Sequence, residues 1–172
     1  MAKHIFVTGG VVSSLGKGIT VGDVIIADSC VEYDLEYGAL GDARGSIFYP
    51  DSTSEIVMPA DGELSALLES AAREVSGGEF EVKRGVVATG DKFVSSNAAR
   101  EDILSAFPDA LCCEMEGAAI AQVCRLYSVK FSVLRSMSDS ADGEAEMDFP
   151  TFVQLSADRA AKIAASLANL IS

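Results

Sequence analysis

Five short apolar runs, separated by longer segments with helical periodicity, constrain the fold of this chain more than any other feature. Several runs lack the alternation of apolar and polar residues that marks a half-exposed strand, so they are typical of central strands covered on both faces. Strands that alternate with helical segments over 172 residues predict a layered α/β domain. The runs lie at 4–8, 21–28, 84–89, 110–114 and 130–136.

Four helices are predicted between and after these runs. Asp61 is predicted to cap the first and Asn97 the second, because both side chains can accept a hydrogen bond from a helix N-terminus. The third spans 116–127, and the last runs from about 150 to 171 with Asp148 as its cap. The third helix is predicted to bury the stripe Ile120, Val123, Cys124 and Tyr127, and the last to bury Ala160, Ile163, Ala164, Leu167 and Leu170. The segment 37–62 is long for a connection, so it is predicted to be a binding loop or to contain further short strands.

Composition excludes several classes of function. Thirteen basic against 26 acidic residues give a net charge of −13, which repels nucleic-acid phosphates. The chain has neither an apolar run of about 18 residues nor a signal-peptide pattern, so we expect a cytoplasmic protein without a membrane partner. Four cysteines lack metal-ligand spacing and are expected to be buried, reduced thiols. We expect no metal and no cofactor.

Acidic side chains follow two of the predicted strands. The phrase Glu-Met-Glu-Gly-Ala-Ala-Ile-Ala at 114–121 begins where one strand ends, and Arg-Ser-Met-Ser-Asp at 135–139 closes another. The carboxyl ends of strands are where α/β enzymes bind their ligands. A competing feature is the glycine-rich segment 5–19, where Gly9, Gly10 and Lys17 could contact a phosphate or line a ribose.

From Val21 to its end the chain resembles the 5′-methylthioadenosine/S-adenosylhomocysteine nucleosidases, members of the nucleoside phosphorylase superfamily. The resemblance lies in five phrases: VGDVIIAD at 21–28, RGVVATGDKFV at 84–94, FPDALCCEMEGAAIAQVC at 107–124, VLRSMSDSADG at 133–143 and MDFPTF at 147–152. It implies an α/β/α domain around a central mixed sheet. It also implies a homodimer that hydrolyses the N-ribosidic bond of a thio-substituted adenosine in methionine salvage, releasing adenine.

The resemblance assigns three catalytic positions. Asp139 resembles the general acid that supports protonation of adenine N7, Ser138 the residue that orients it, and Arg135 the residue near the attacking water. The chemistry requires such groups, because adenine leaves poorly as an anion and a proton donor speeds its departure. The sugar becomes oxocarbenium-like, so a carboxylate beside its hydroxyls stabilises the developing positive charge.

The resemblance also assigns the substrate contacts. Phe93 resembles the ring that stacks on adenine, and Val94 the residue that binds adenine through its backbone. Met115 resembles the side chain beneath the sugar, and Glu116 the carboxylate that binds the ribose hydroxyls. Phe149 resembles the ring that packs on the ribose side.

The first twenty residues leave alternatives open. Residues 5–19 resemble the nucleotide-binding loop of CTP synthase, although Thr8-Gly9-Gly10 and Val21-Gly22-Asp23 also fit the nucleosidase pattern. We expect one α/β domain over 1–172, with 1–20 as a glycine-rich strand and loop and 21–172 as the nucleosidase-like part. The family carries a longer N-terminal portion with a water-activating glutamate, which has no counterpart before Asp23, so hydrolysis is expected to be impaired. The alternatives are an inactive fragment or chimera, a phosphate-loop nucleotide-binding protein, and a phosphorylase.

Overall fold

A single mixed sheet organises the molecule. The computed structural model describes residues 4–7, 12–16, 18–140 and 149–171, and within them eight strands form this sheet. In chain order the strands of the structure are β1 (His4–Val7), β2 (Ser13–Ser14), β3 (Val24–Glu32), β4 (Ile47–Phe48), β5 (Ser54–Glu55), β6 (Met58–Pro59), β7 (Val82–Thr89), β8 (Ala110–Glu114), β9 (Lys130–Ser136) and β10 (Asp139–Ser140). The sheet follows the order β1–β9–β3–β7–β8–β2–β10, with β6 paired beside β3, while β4 and β5 pair separately.

The sheet curls back on itself. Strands β3, β7 and β8 run parallel, whereas β9 is antiparallel to β3, and β2 is antiparallel to β8. Only Met137 and Ser138 separate β9 from β10, yet these strands lie toward opposite ends of the sheet order. The two ends of the sheet are therefore brought close together by the chain itself.

Helices cover both faces, as the sequence predicted. They are α1 (Gly62–Ser76), α2 (Asn97–Ala106), α3 (Gly117–Leu126) and α4 (Phe149–Leu170), with a short 3₁₀ turn at Gly38–Leu40. Strand β3 alternates: Ile26 packs with the cluster of α1 and α4, whereas Ile25 packs with the cluster of α3. A third cluster joins α2 to the sheet through Ile103. Within the described residues, no helix is long and apolar enough to cross a membrane.

All five predicted strands are present, but β3 begins later than predicted. Gly22 has φ +89°, and the buried carboxylate of Asp23 accepts hydrogen bonds from Thr20 N at 2.8 Å and Glu81 N at 3.1 Å. These bonds hold 21–23 as a turn, so the strand starts at Val24. The segment 37–62 contains the 3₁₀ turn and three short strands, which confirms the prediction of further short strands there.

The predicted buried face of α3 is correct for Cys124 and for the partly buried Ile120, but wrong for Val123 and Tyr127. The helix buries Gly117, Ala118, Ala121 and Cys124, whereas Val123 is 50% exposed and Tyr127, just beyond the helix end, is 76% exposed. Small side chains let this helix approach the sheet closely, so hydropathy alone selected the wrong stripe.

Two further helix predictions need correction. Ser96, not Asn97, caps α2, because its hydroxyl accepts from Ala99 N at 3.2 Å and Asn97 is already helical. In α4, Ile163 and Leu167 are buried as predicted, but Ala164 and Leu170 are exposed. Asp61 caps α1 as predicted, and Asp148 lies outside the described residues.

The four cysteines are buried and unbridged, as expected. Cys112 and Cys113 are adjacent on β8 and therefore point to opposite faces, into the clusters of α3 and α2 respectively. Burial raises the pKa of the Cys112 thiol well above its ordinary value, so this side chain packs as a small apolar group.

The carboxyl ends of three parallel strands line up in register. Glu32 ends β3 opposite Thr89 at the end of β7, and Thr89 is opposite Glu114 at the end of β8. The pKa of Glu32 is raised from 4.5 to about 7, mainly by burial and in smaller amounts by the nearby charges of Asp34, Glu114 and Asp91. Two carboxylates on one strand edge therefore oppose each other's ionisation.

The raised pKa of Glu32 predicts a specific pH dependence of stability. Between pH 4.5 and 7 the folded protein holds a proton on Glu32 that the unfolded chain releases, so this group lowers the free energy of unfolding as pH rises. Glu32→Gln should therefore gain stability relative to the parent from pH 5 to pH 8, by about 1 kcal/mol after allowance for solvent screening. Urea denaturation at both pH values measures this, with exposed Glu101→Gln as the matched control. An equal effect of both substitutions on the pH dependence would contradict the prediction.

Candidate active site

Glu114 is the buried centre of the site. It ends β8, is 3% exposed, and accepts a hydrogen bond from the Thr89 hydroxyl. Its oxygens also accept from Gly117 N, at 2.9 Å each, and from Glu116 N at 3.2 Å. The carboxylate therefore lies on the N-terminal turn of α3, where backbone N–H groups favour a negative charge.

Arg135 joins two glutamates. Its side chain extends from β9, is 1% exposed, and its Nη2 contacts Glu114 Oε2 and lies 3.1 Å from Glu116 Oε2. Two carboxylates share one guanidinium, so this three-residue cluster carries one net negative charge. A buried charge pair needs such hydrogen bonding to offset the loss of water.

Glu116 is the accessible member of this three-residue cluster, and its chain neighbour Met115 is accessible beside it. The Glu116 side chain is 53% exposed even though Arg135 contacts it, and Met115 is also exposed. An oxygen of Glu116 can therefore meet a ligand while the other side of the carboxylate stays fixed. Such an arrangement suits the binding of vicinal hydroxyl groups.

A second group of predicted residues lies around β2. Ser13 Oγ donates to the Val94 carbonyl at 3.3 Å, and Phe93 beside it is exposed. The backbone of Asp139 in β10 pairs with Ser13. The Ser138 hydroxyl accepts from Val12 N at 2.9 Å and donates to Val12 O at 3.0 Å.

Strand β2 connects the two groups. Ser13 pairs with Asp139 on one side and with Cys113, the residue before Glu114, on the other. The structure therefore brings the Phe93, Asp139 and Glu116 segments to one region of the sheet. The backbone of Phe149 begins α4, and Gly9, Gly10 and Lys17 lie outside the described residues.

A cavity of about 370 Å³ lies beside Met115, the neighbour of Glu116 in the chain. Met115 and Thr89 line one part of the cavity, and Tyr37 and Phe48 line another part. Glu32, at the end of β3, also lines it. Met115 is thus shared between the cavity and the carboxylate cluster. Among the described residues, no group of three or more histidine, cysteine or acidic side chains could hold a metal ion.

Sequence reasoning missed three residues of this region: Thr89, Glu114 and Ser13. Glu114 carried a signal, because it ends the apolar run 110–114 at the kind of position where α/β enzymes bind their ligands. Thr89 and Ser13 carried none, since their importance comes from pairing with strands distant in sequence.

Comparison with known proteins identifies the family and the relatives of this chain. The family model of the Phosphorylase superfamily matches residues 2–169, including the glycine-rich segment. The aminodeoxyfutalosine nucleosidase of Helicobacter pylori is 38% identical over 160 residues, which cover 93% of this chain and 66% of that protein. The 5′-methylthioadenosine/S-adenosylhomocysteine nucleosidase of Staphylococcus aureus is 36% identical over 154 residues, covering 89% of this chain and 64% of that protein.

A solved structure is similar over nearly the whole chain. The 5′-methylthioadenosine/S-adenosylhomocysteine nucleosidase of Neisseria meningitidis, in complex with methylthio-immucillin-A, aligns with a TM-score of 0.84 and 35% identity. The alignment covers 97% of this chain and 69% of that one. The chain spans slightly less than two thirds of the length of the curated relatives it matches. The predicted fold and family resemblance are confirmed: the chain belongs to the phosphorylase superfamily and is homologous to its 5′-methylthioadenosine/S-adenosylhomocysteine nucleosidases.

Proposed function

We propose that this chain acts in the hydrolysis of the N-ribosidic bond of an adenine nucleoside with a modified 5′ position. The observation that carries the proposal is the buried Glu114–Arg135 pair, which holds a half-exposed Glu116 beside Met115 at the strand ends. The names of the relatives support the same reaction class, since both are nucleosidases.

Glu116 is assigned to the sugar. Its carboxylate would accept hydrogen bonds from the ribose hydroxyls, with Met115 packed beneath the ring. As the bond from C1′ to N9 breaks, the sugar gains positive charge, and a nearby carboxylate favours that state over the ground state. Arg135 would hold the Glu116 carboxylate in place, and would lie near the attacking water.

Asp139, Phe93 and Val94 are assigned to the base. Phe93 would stack on adenine, Val94 would bind it through its backbone, and Asp139 would support a proton on N7. Electrons of the broken bond go to the protonated adenine, a water oxygen forms the new bond to C1′, and the proton lost from that water passes to solvent. Phe149 would pack on the ribose side.

Ser138 is assigned a positional part in this scheme. Its hydroxyl already exchanges two hydrogen bonds with Val12, so its donor is used there. It would therefore orient Asp139 by fixing β10 against the segment before β2, through the backbone. The possible ribose loop around Gly9, Gly10 and Lys17 would complete the sugar side.

The assignment predicts the effects of two isosteric substitutions on adenine release from methylthioadenosine. Asp139→Asn should lower kcat by about 10²- to 10⁴-fold, because proton donation to the leaving base is lost. Glu116→Gln should lower kcat/KM by about 10- to 100-fold, because charged hydrogen bonds to the sugar are weakened. A coupled assay for free adenine gives both values.

Exposed Asp51→Asn on the 49–53 turn is the matched control and should keep the parental rate. Repeating the assay with and without inorganic phosphate separates hydrolysis from phosphorolysis, because only a phosphorylase yields a sugar 1-phosphate. S-adenosylhomocysteine and aminodeoxyfutalosine, named in the relatives, are the other substrates to compare. Parental turnover by Asp139→Asn would rule out the assignment of the acid.

We also propose that the chain forms a homodimer through an apolar face next to the cavity. Leu40 is 78% exposed, and Tyr37 and Phe48 contact each other edge to face with ring centroids 5.6 Å apart. On α3, Val123 and Leu126 are exposed, and Ala119 and Gln122 of the same stripe line the cavity with Phe48. These exposed apolar side chains favour burial against a second copy of the chain, and a partner side chain at the cavity would lie near Met115.

The dimer proposal predicts a mass near twice the 18.0 kDa of one chain. Val123→Glu should shift the protein to monomer, because burying an unpaired charge in an interface is unfavourable. Val153→Glu, at a similarly exposed position on α4, is the control and should remain dimeric. Light scattering coupled to size-exclusion chromatography measures the masses, and a parental monomer across micromolar concentrations would refute the dimer.

A further inference from the structure

We propose that Thr89 and Glu114 are positioning residues for the sugar-binding carboxylate of Glu116, an inference that rests on the proposed function. Neither residue is assigned a contact with the nucleoside. Both are buried, at 2% and 3% exposure, and although Thr89 lines the cavity, its hydroxyl bonds to Glu114 and Ala118. Both residues are therefore inferred to act through other groups. The inference concerns which residues set the geometry of Glu116, beyond those predicted to touch substrate.

The Thr89 hydroxyl both donates and accepts a hydrogen bond. Oγ1 donates to Glu114 Oε1 and accepts from Ala118 N at 2.8 Å. The hydroxyl therefore joins the end of β7 to the end of β8 and to the first turn of α3. A methyl group in its place would leave a buried N–H and a buried carboxylate oxygen each without this bond.

Glu114 holds Glu116 by two routes. It accepts from the backbone N–H of Glu116 at 3.2 Å, and it contacts Arg135, which in turn contacts the Glu116 carboxylate. One route fixes the main chain and the other fixes the side chain. Displacement of Glu114 would therefore move Glu116 as a whole.

The charge balance adds to this effect. While Arg135 binds Glu114, its attraction for Glu116 is shared between two carboxylates. If Glu114 shifted away, Arg135 would pair more closely with Glu116 and draw its oxygen from the sugar. Loss of the Thr89 hydroxyl should thus weaken sugar binding without altering the base contacts around Val94.

Gly117 provides a second way to displace Glu114. A Cβ at Gly117 would lie 3.0 Å from Glu114 Oε1 and 3.3 Å from its Cδ. Gly117 is helical and its φ is not positive, so alanine is compatible with the backbone there. Gly117→Ala should therefore press on the carboxylate and leave Thr89 intact.

Binding of adenine and of methylthioadenosine tests the inference, measured by calorimetry with every variant also carrying Asp139→Asn so that hydrolysis is slow during the titration. Thr89→Val should weaken methylthioadenosine binding by about 10-fold, the effect of roughly one hydrogen bond, and change adenine binding by less than about 2-fold. Thr89→Ser restores the hydroxyl and should recover most of the lost affinity. Gly117→Ala should show the same selective loss as Thr89→Val, and exposed Thr53→Val should show none.

A double-mutant cycle that combines Thr89→Val with Glu116→Gln tests whether Thr89 acts on sugar binding through Glu116. If Thr89 acts through Glu116, then Thr89→Val should cause no further loss of methylthioadenosine affinity once Glu116 is changed. Equal losses for adenine and methylthioadenosine, or additive losses in the cycle, would overturn the inference. If Thr89→Val does not fold, Gly117→Ala carries the same comparison.

Failure of the proposed function would give a different experimental result from failure of this inference. A folded parent that binds neither adenine nor methylthioadenosine would refute the function, and the cycle would then be measured on urea denaturation midpoints. The Thr89 hydroxyl bonds to Glu114 and Ala118 rather than to Glu116, so non-additive midpoints would still support coupling through Glu114. Additive midpoints would reject it.

Discussion

The buried contact between Glu114 and Arg135 is the interaction on which the rest of this site depends. It joins the end of β8 to β9, two strands that β3 and β7 separate in the sheet. Taking both charges out of water is costly, and the cost is offset because Glu114 also receives hydrogen bonds from Thr89 and from the first turn of α3. Removal of any one partner would leave a charge buried without full compensation. Glu116 inherits its position from this arrangement.

The fold could be predicted from local sequence because the signals are local. The apolar runs at 110–114 and 130–136 coincide with β8 and β9, and the long segment 37–62 does contain short strands. The candidate site could be located because its residues follow strands in recognisable phrases. Thr89 could not be found in this way, since its partners Glu114 and Ala118 are 25 and 29 residues away. Such contacts are set by strand register, which single-strand patterns do not specify.

The wrong predictions for the inner face of α3 and for the cap of α2 also have their cause in contacts between distant elements. Hydropathy favoured Val123 and Tyr127 as the inner face of α3, but close approach to the sheet selects Ala118 and Ala121 instead. In a run of two serines and an asparagine, three side chains can cap a helix, and the tertiary position of α2 selected Ser96. Both outcomes depend on how far one element lies from another, which no window of sequence contains.

The two-residue strand β2 has a consequence for how this protein can change. The segment that contains Asp139 pairs with one side of it, and Cys113, the residue before Glu114, pairs with the other side. Substitutions that keep both pairings of β2 therefore keep the spacing between these two segments. The cavity beside Met115 lies beyond both attachments, at the ends of β3 and β7. Selection can remodel the wall that Tyr37 and Phe48 form, and with it the groups that fit there, while Thr89, Met115 and the pairings of β2 stay unchanged.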